Sequence, residues 1–137
     1  MKYLIDTDLL IDFLHARRNA VDILKPLFKE GVALSTVTLA EFWYGAYFGP
    51  YEERERNALS QFLAVTIMTL FPVNERIAEY YGEIQASLTK RGVKGNGFDV
   101  LIAATAMAHG LTLVTGNAKD SKKIEGLKRC INNILLQ

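Results

Sequence analysis

The sequence predicts an α/β fold built on a mostly parallel sheet. Short apolar segments with strand character alternate with stretches of helical periodicity along the chain, which is typical of parallel sheets covered by helices. Glycines and prolines interrupt these segments at turn spacing, without a repeat, a linker or a low-complexity tract. The length of 137 residues favours a single domain, which we expect to span 1–137.

The first half of the chain contains two strand segments and four helical ones. Pro26 interrupts a helical stretch and is expected to end or kink it, and Gly31 separates that stretch from the second strand. Thr38 and Glu41 have the spacing of a capping box, which predicts a helix start at Thr38. The predicted elements are strands over 2–5 and 32–35 and helices over 8–14, 19–29, 38–48 and 52–64.

The second half continues the alternation. Apolar residues recur at helical spacing between Asn74 and Arg91. Residues 99–109 are almost uniformly apolar, which predicts a largely buried helix ended by Gly110. The predicted elements are strands over 67–71, 111–115 and about 130–135, long helices over 74–91 and 99–109, and a short helix near 120–125.

Composition excludes several classes of protein. A single cysteine, Cys130, leaves no internal disulfide and no cysteine-built zinc site. The formal net charge of +1 neither marks a nucleic-acid binder nor excludes a local basic patch. Asp6 and Asp8 interrupt the N-terminus too early for a secretory signal, and no apolar run approaches the roughly 18 residues of a membrane span. We therefore expect a soluble, cytoplasmic protein.

Acidic side chains follow or precede the predicted strands. The carboxyl ends of parallel strands share one edge of a sheet, where ligands usually bind, so these side chains are expected to meet. Each also has an ordinary structural interpretation, as a helix cap, a partner of the helix dipole or a turn former. The residues are Asp6 and Asp8 after the first strand, Glu41 after the second, Asp99 before the fourth, and Asn117 and Asp120 after it.

Clustered carboxylates favour a hard divalent cation. Glu41 and Asp99 are followed by apolar residues, and neither has an obvious Lys or Arg partner nearby. Two carboxylates about 4 Å apart repel by roughly 4 kcal/mol at an effective dielectric constant of ~20, and Mg²⁺ or Mn²⁺ relieves that repulsion. Such a centre suits hydrolysis of phosphodiesters. The sequence has no serine-elbow or P-loop motif, and we interpret His15 and His109 as structural or surface residues.

Three segments of the chain read YLIDTDLLIDF, LSTVTLAEFWYGA and GFDVLIAATAMAHGLTLVTGNAKD. Together they resemble the PIN-domain family, and within it the VapC-type toxins of type II toxin–antitoxin pairs. The resemblance covers nearly the whole chain in the right order. It implies a three-layer α/β/α sandwich and a Mg²⁺- or Mn²⁺-dependent endoribonuclease. It also implies an RNA substrate, a cognate VapB-type antitoxin and a homodimer.

The resemblance also implies roles for individual residues. It assigns catalysis and metal binding to Asp6, Glu41, Asp99 and a fourth residue after the last core strand, where both Asn117 and Asp120 stand. We favour Asp120 as the fourth acid, with Asn117 orienting a ligand or water, and Thr115 resembles the hydroxyl residue that supports such sites. Asp8, a further supporting residue, departs from the family pattern, where Asn or Ser is commoner, and so do Gly116 and Ser121. Independently of the resemblance, the basic residues near this site, Lys119, Lys122 and Lys123, are expected to follow the phosphate backbone of RNA.

Other interpretations compete with this one. A non-catalytic binding module with a PIN-like fold would keep the fold without the activity. A haloacid-dehalogenase-like phosphatase is suggested by Asp6-Thr7-Asp8 after a strand, but Leu10 and the short chain argue against it. The aromatic run from Phe42 to Tyr51 fits either core and ordinary surface or a hydrophobic groove or dimer face.

Overall fold

The computed structural model describes residues 2–116, 121–131 and 134–136. Within them the chain forms a sheet in the order β3-β2-β1-β4-β5-β6, parallel throughout except for the last pair. The strands are β1 (Tyr3–Ile5), β2 (Val32–Ser35), β3 (Met68–Phe71), β4 (Thr112–Val114), β5 (Arg129–Ile131) and β6 (Ile134–Leu136). The helices are α1 (Thr7–Leu14), α2 (Arg18–Leu24), α3 (Thr36–Phe48), α4 (Glu52–Val65), α5 (Glu75–Lys90) and α6 (Gly97–Ala108).

Helices cover both faces of the sheet, which confirms the three-layer α/β/α sandwich. Alternate residues of a strand point to opposite faces, so Leu4 joins a core with residues of α5 and α6. The next residue, Ile5, joins a second core with residues of α1, α2 and α4. The central strand β1 therefore has its carboxyl end enclosed between two helical layers.

The capping box predicted at Thr38 and Glu41 is wrong. Helix α3 begins two residues earlier, because Ser35 at the end of β2 is its N-cap and its Oγ accepts a hydrogen bond from the Val37 amide at 3.0 Å. Thr38 is consequently an interior helical residue with no exposed surface. Glu41 lies one turn further along the same helix, and its carboxylate does not cap the helix but accepts a hydrogen bond from another element.

Other predicted boundaries moved for local reasons. The stretch predicted as a helix over 19–29 divides at Leu24, and Pro26 lies in a 3₁₀ segment over Lys25–Glu30. Helix α6 begins at Gly97 because the Asn96 side chain accepts from the amides of Phe98 and Asp99. The single strand predicted near 130–135 is an antiparallel pair, β5 and β6. In the described part of the chain, no helix has the length and apolar character needed to cross a membrane.

Candidate active site

Asp6 occupies the carboxyl end of the central strand. It follows β1 directly and is the N-cap of α1, and its Oδ1 accepts a hydrogen bond from the Thr7 amide at 2.9 Å. An aspartate is among the preferred N-caps because its oxygen satisfies an amide left free by the helix. The capping interpretation of Asp6 is therefore correct.

Glu41 reaches the same place from α3. The Thr7 hydroxyl donates to Glu41 Oε1 at 2.6 Å, a distance typical of a strong bond to an ionised carboxylate. Thr7 also lies 3.1 Å from the hydroxyl oxygen of the fully buried Thr38. Two acids that are 35 positions apart in the sequence thus meet on either side of one threonine.

Burial and negative charge shift the proton affinity of Asp6. Desolvation is the largest cause and raises the pKa of Asp6 from 3.8 to about 6. Hydrogen bonds from the Thr115 hydroxyl and the Thr7 amide lower this pKa, and the charges of Asp99 and Asp8 raise it. Asp6 is thus a destabilised anion at neutral pH.

The pKa of Glu41 is raised for similar reasons. Burial is again the largest cause, the hydrogen bond from Thr7 opposes it, and the charges of Asp99 and Asp8 add to it. Asp99 is half-buried in the first turn of α6, and Asp8 is exposed in the first turn of α1. The charges of Asp99 and Asp8 therefore act on both Asp6 and Glu41.

A cavity of about 420 Å³ opens beside Asp6 and Asp99. Acidic residues of α1 line one part of it, and Lys94 and Lys123 line another. The Arg91 guanidinium donates to the Lys123 carbonyl at 2.7 Å, which ties the end of α5 to the 3₁₀ turn Ser121–Lys123. The cavity is thus lined by lysine residues as well as by acidic ones, a combination suited to a phosphate-bearing ligand.

The donor set suits a hard cation only in part. Carboxylate and hydroxyl oxygens are ligands that Mg²⁺ and Mn²⁺ accept, and the raised pKa values of Asp6 and Glu41 indicate negative charge that a cation would relieve. In the described residues, however, no three His, Cys, Asp or Glu side chains converge closely enough to hold a metal ion. The carboxylates interact as charges without forming a closed ligand shell.

Some predicted site residues fall elsewhere. Asn117, Lys119 and Asp120 lie outside the described residues. Lys122 is exposed and is not among the residues that line the cavity, whereas Lys123 is.

Comparison with known families is decisive at this point. A model of the PIN domain matches residues 3–126. The chain belongs to the PIN domain family.

Ribonuclease VapC2 of Haemophilus influenzae is 30% identical over 130 residues, covering 93% of this chain and 96% of that protein. The tRNA(fMet)-specific endonuclease VapC of Shigella flexneri is 28% identical, with the same coverage of both chains. A crystal structure of VapBC2 from Rickettsia felis, bound to a fragment of promoter DNA, superposes with a TM-score of 0.85 at 29% identity, covering 94% of this chain and 97% of that one.

The role of Thr7 in the site of this PIN domain is not predicted by the sequence, although its hydroxyl contacts Glu41. The signal for Thr7 is its position between two acids after a strand. Lys94, which the sequence offers as a weaker candidate for phosphate contact than Lys119, Lys122 and Lys123, lies in a glycine-rich loop and lines the cavity beside Asp99.

The aromatic run of α3 divides between core and surface in this PIN domain. Phe42 is buried and Trp43 is half-buried. Tyr44 and Phe48 are 71% and 81% exposed and stack on each other with ring centroids 5.8 Å apart. We refer to the exposed aromatic residues Tyr44, Tyr47, Phe48 and Tyr51 as the α3 aromatic patch.

Proposed function

We propose that this PIN domain is a Mg²⁺- or Mn²⁺-dependent endoribonuclease and the toxin of a type II toxin–antitoxin pair. The observation that carries the proposal is the meeting of Asp6 and Glu41 across Thr7, at a position where the charge of Asp99 acts on both. The relatives named ribonuclease and tRNA endonuclease support RNA as the substrate. The non-catalytic alternative would leave this costly concentration of negative charge without a use.

The proposed metal-binding residues are Asp6, Glu41, Asp99 and Asp120, which would hold the cation either directly or through bound water, since the described acids do not form a closed ligand shell by themselves. When bound, the cation would supply Lewis acidity, lower the pKa of a water molecule and neutralise charge on the phosphate. Thr115 donates a hydrogen bond to Asp6 and would fix the orientation of its carboxylate. Asp8 would bind the metal only through a water molecule, and Asn117 would orient a ligand or a water molecule. Asp6 and Glu41 deprotonate less readily than free carboxylic acids, so metal binding would release protons wherever these groups are still protonated.

The lysines would hold the RNA backbone. A row of carboxylates alone repels phosphates, so a nuclease site of this kind needs cationic groups at its rim. Lys94 and Lys123 line the cavity, and we propose that they contact phosphates on either side of the cleaved bond. Lys119 and Lys122 would extend the same path. Unpaired RNA fits best, because a splayed backbone enters a cleft more readily than a duplex does.

Substitution of the acids tests the function. Asp6→Asn and Asp99→Asn keep the size of the side chain and remove its charge, and each is expected to reduce Mg²⁺-dependent cleavage of single-stranded RNA by about a hundredfold or more. The matched control is Asp22→Asn, since Asp22 is an exposed acid of α2 facing Arg18 at 3.9 Å. Wild-type cleavage by the two site variants would refute the proposal, and metal-dependent stabilisation of a wild type that cleaves no RNA would favour the binding module.

An apolar groove between α1, the 3₁₀ segment and α4 is the proposed antitoxin site. Phe13, Phe28 and Phe62 form its floor in edge-to-face contacts, and Val65 and Ile67 are exposed at its margin. We refer to this surface as the α1–α4 groove. Its shape and apolar lining suit a helix with an apolar face, and the solved relatives include complexes of VapB and VapC proteins.

We propose that the α3 aromatic patch mediates homodimerisation. Contiguous exposed aromatic residues are enriched at interfaces, and the stacked Tyr44–Phe48 pair presents a flat surface that a twofold-related copy can cover. The patch and the α1–α4 groove share no lining residue among those described, so a dimer contact and an antitoxin contact are separable.

A further inference from the structure

Thr7 is the residue through which two half-buried acids, Asp6 and Glu41, are joined. Its backbone amide donates to Asp6 Oδ1 at 2.9 Å, and its side-chain hydroxyl donates to Glu41 Oε1 at 2.6 Å. The first acid belongs to the end of β1 and the second to α3. One residue, itself only 4% exposed, therefore connects carboxylates carried by two different elements of the fold.

The hydroxyl of Thr7 is itself held in place. It lies 3.1 Å from the hydroxyl oxygen of Thr38, which has no exposed surface. A threonine hydroxyl carries one proton, and the proton of Thr7 is directed at the nearer, charged partner, Glu41. Thr38 must then donate to Thr7, so the hydrogen bonds run in one direction, from Thr38 through Thr7 to Glu41.

The helical spacing of α3 makes this chain possible. Thr38 and Glu41 are three positions apart, which places them on the same side of the helix, one above the other. The Thr7 side chain at the start of α1 contacts both. Without the hydroxyl, a glutamate side chain with three rotatable bonds would have no described hydrogen bond to hold it beside Asp6.

We propose that Thr7 is a positioning residue of the nuclease site, fixing the Glu41 carboxylate relative to Asp6, with Thr38 orienting the Thr7 hydroxyl. This inference rests on the proposed function and adds to it a residue outside the four acids. Hydrogen-bond partners of metal ligands typically change metal affinity or activity by about 10–100-fold when they are removed. Thr7→Val, which keeps the branched shape and removes the hydroxyl, is expected to lower kcat for RNA cleavage by about tenfold or more, with KM nearly unchanged.

The same chain supplies its own controls. Thr7→Ser keeps the hydroxyl and is expected to retain activity within about threefold of wild type, since the donor is preserved. Thr38→Val leaves Thr7 without its donor and should give a smaller loss of the same kind. Thr105→Val is the matched structural control, because Thr105 is equally buried but donates only to the Leu101 carbonyl of its own helix at 2.8 Å.

A second measurement is independent of catalysis. Thermal unfolding with increasing MnCl₂ reports the Mn²⁺ concentration that half-saturates the stabilisation of each variant. Thr7→Val should require about tenfold more Mn²⁺ than wild type, while Thr7→Ser and Thr105→Val should match wild type. If Thr7→Val proves unfolded by circular dichroism, the Thr38→Val and Thr7→Ser pair decides the question by the same two measurements.

The outcomes separate this inference from the proposed function. Loss of cleavage in Asp6→Asn together with wild-type kcat and Mn²⁺ response in Thr7→Val and Thr38→Val would overturn the positioning role and leave the nuclease intact. Full cleavage by Asp6→Asn would overturn the assignment of the nuclease site to these acids, whereas absence of RNA cleavage by the wild type would overturn the proposed function. A loss in Thr7→Val that Thr7→Ser does not restore would also contradict the inference, because the hydroxyl would then not be the operative group.

Discussion

The two ends of helix α1 belong to surfaces of opposite character. Asp8 and Leu9 near its start line the acidic cavity, whereas Phe13 and Leu14 near its end line the α1–α4 groove. The cavity combines carboxylates from distant segments with lysines. The groove is lined mainly by aromatic and aliphatic side chains, together with Lys25, Lys29, Gln61 and Thr66. A helix of 8 residues thus separates a surface suited to a charged ligand from one suited to an apolar partner.

This contrast predicts that stability and activity reside in different places. The groove floor consists of close-packed rings, with Phe62 only 5% exposed, so burial there stabilises the fold. Asp6 and Glu41 lower the stability of the fold when ionised, because burial and the charges of neighbouring acids disfavour their charged forms. Truncation of a ring in the groove floor should therefore lower the free energy of unfolding, whereas neutralisation of a carboxylate beside the cavity should raise it.

The largest effect on stability is expected from Phe62→Ala. The ring of Phe62 contacts Phe13 and Phe28 at centroid distances of 5.7 Å. Its removal should lower the free energy of unfolding by about 3–5 kcal/mol, as for other large-to-small core substitutions. Urea denaturation measures the loss, and cleavage per folded molecule should stay at the wild-type level. A parallel loss of specific activity would show that groove and cavity are coupled.

An effect of opposite sign is expected from Asp6→Asn in the presence of EDTA. Because the pKa of Asp6 is raised from 3.8 to about 6 by folding, the folded state binds the proton more tightly than the unfolded state does. The stabilisation is complete below about pH 4 and is lost as pH rises through about 6. For wild type this decline amounts to about 3 kcal/mol at most.

Urea denaturation at several pH values measures this decline. Asp6→Asn should flatten the curve between about pH 4 and pH 6 and be more stable than wild type at neutral pH, since asparagine also caps helices well. Asp22→Asn is the control and should follow wild type. An unchanged slope in Asp6→Asn would contradict the origin assigned to the pH dependence.

The smallest effects on stability are expected at the two exposed surfaces. Val65 and Phe48 are 83% and 81% exposed, so Val65→Asp and Phe48→Ser should each alter the free energy of unfolding by less than about 0.5 kcal/mol. Phe48→Ser should shift the mass in size-exclusion chromatography with light scattering from dimer to monomer. Val65→Asp should leave the mass unchanged and reduce co-purification with a co-expressed antitoxin from the neighbouring reading frame. Interchanged phenotypes would reverse the assignment of the two surfaces.

Most of the strands and helices were predictable from local sequence patterns. Apolar runs bounded by glycine predicted β2 and β4, the apolar run before Asp6 predicted β1, and the periodicity from Ile77 to Leu88 predicted α5. The errors arose where two local signals competed. Ser35 and Thr38 are both plausible caps, and the structure uses Ser35 because it ends β2 and its hydroxyl reaches the Val37 amide.

The acids were proposed as a site from the sequence because several of them follow or precede strands in an apolar setting, although each also has an ordinary structural interpretation. Their number and order along the chain, together with the rule on carboxyl ends of parallel strands, were sufficient to predict that Asp6, Glu41 and Asp99 act on one another. The structure supports the electrostatic part of that prediction for these three residues and Asp8.

The contacts around the acids depended on tertiary structure. That Thr7 would donate to Glu41, that Thr38 would be buried against Thr7, and that Lys94 would line the cavity all require knowing how α1, α3 and the loop before α6 pack together. Periodicity and residue type act within a segment, so they determine which elements form and which side chains carry charge. Hydrogen bonds a few ångströms long between distant segments depend on the placement of whole helices, which only the packed core decides.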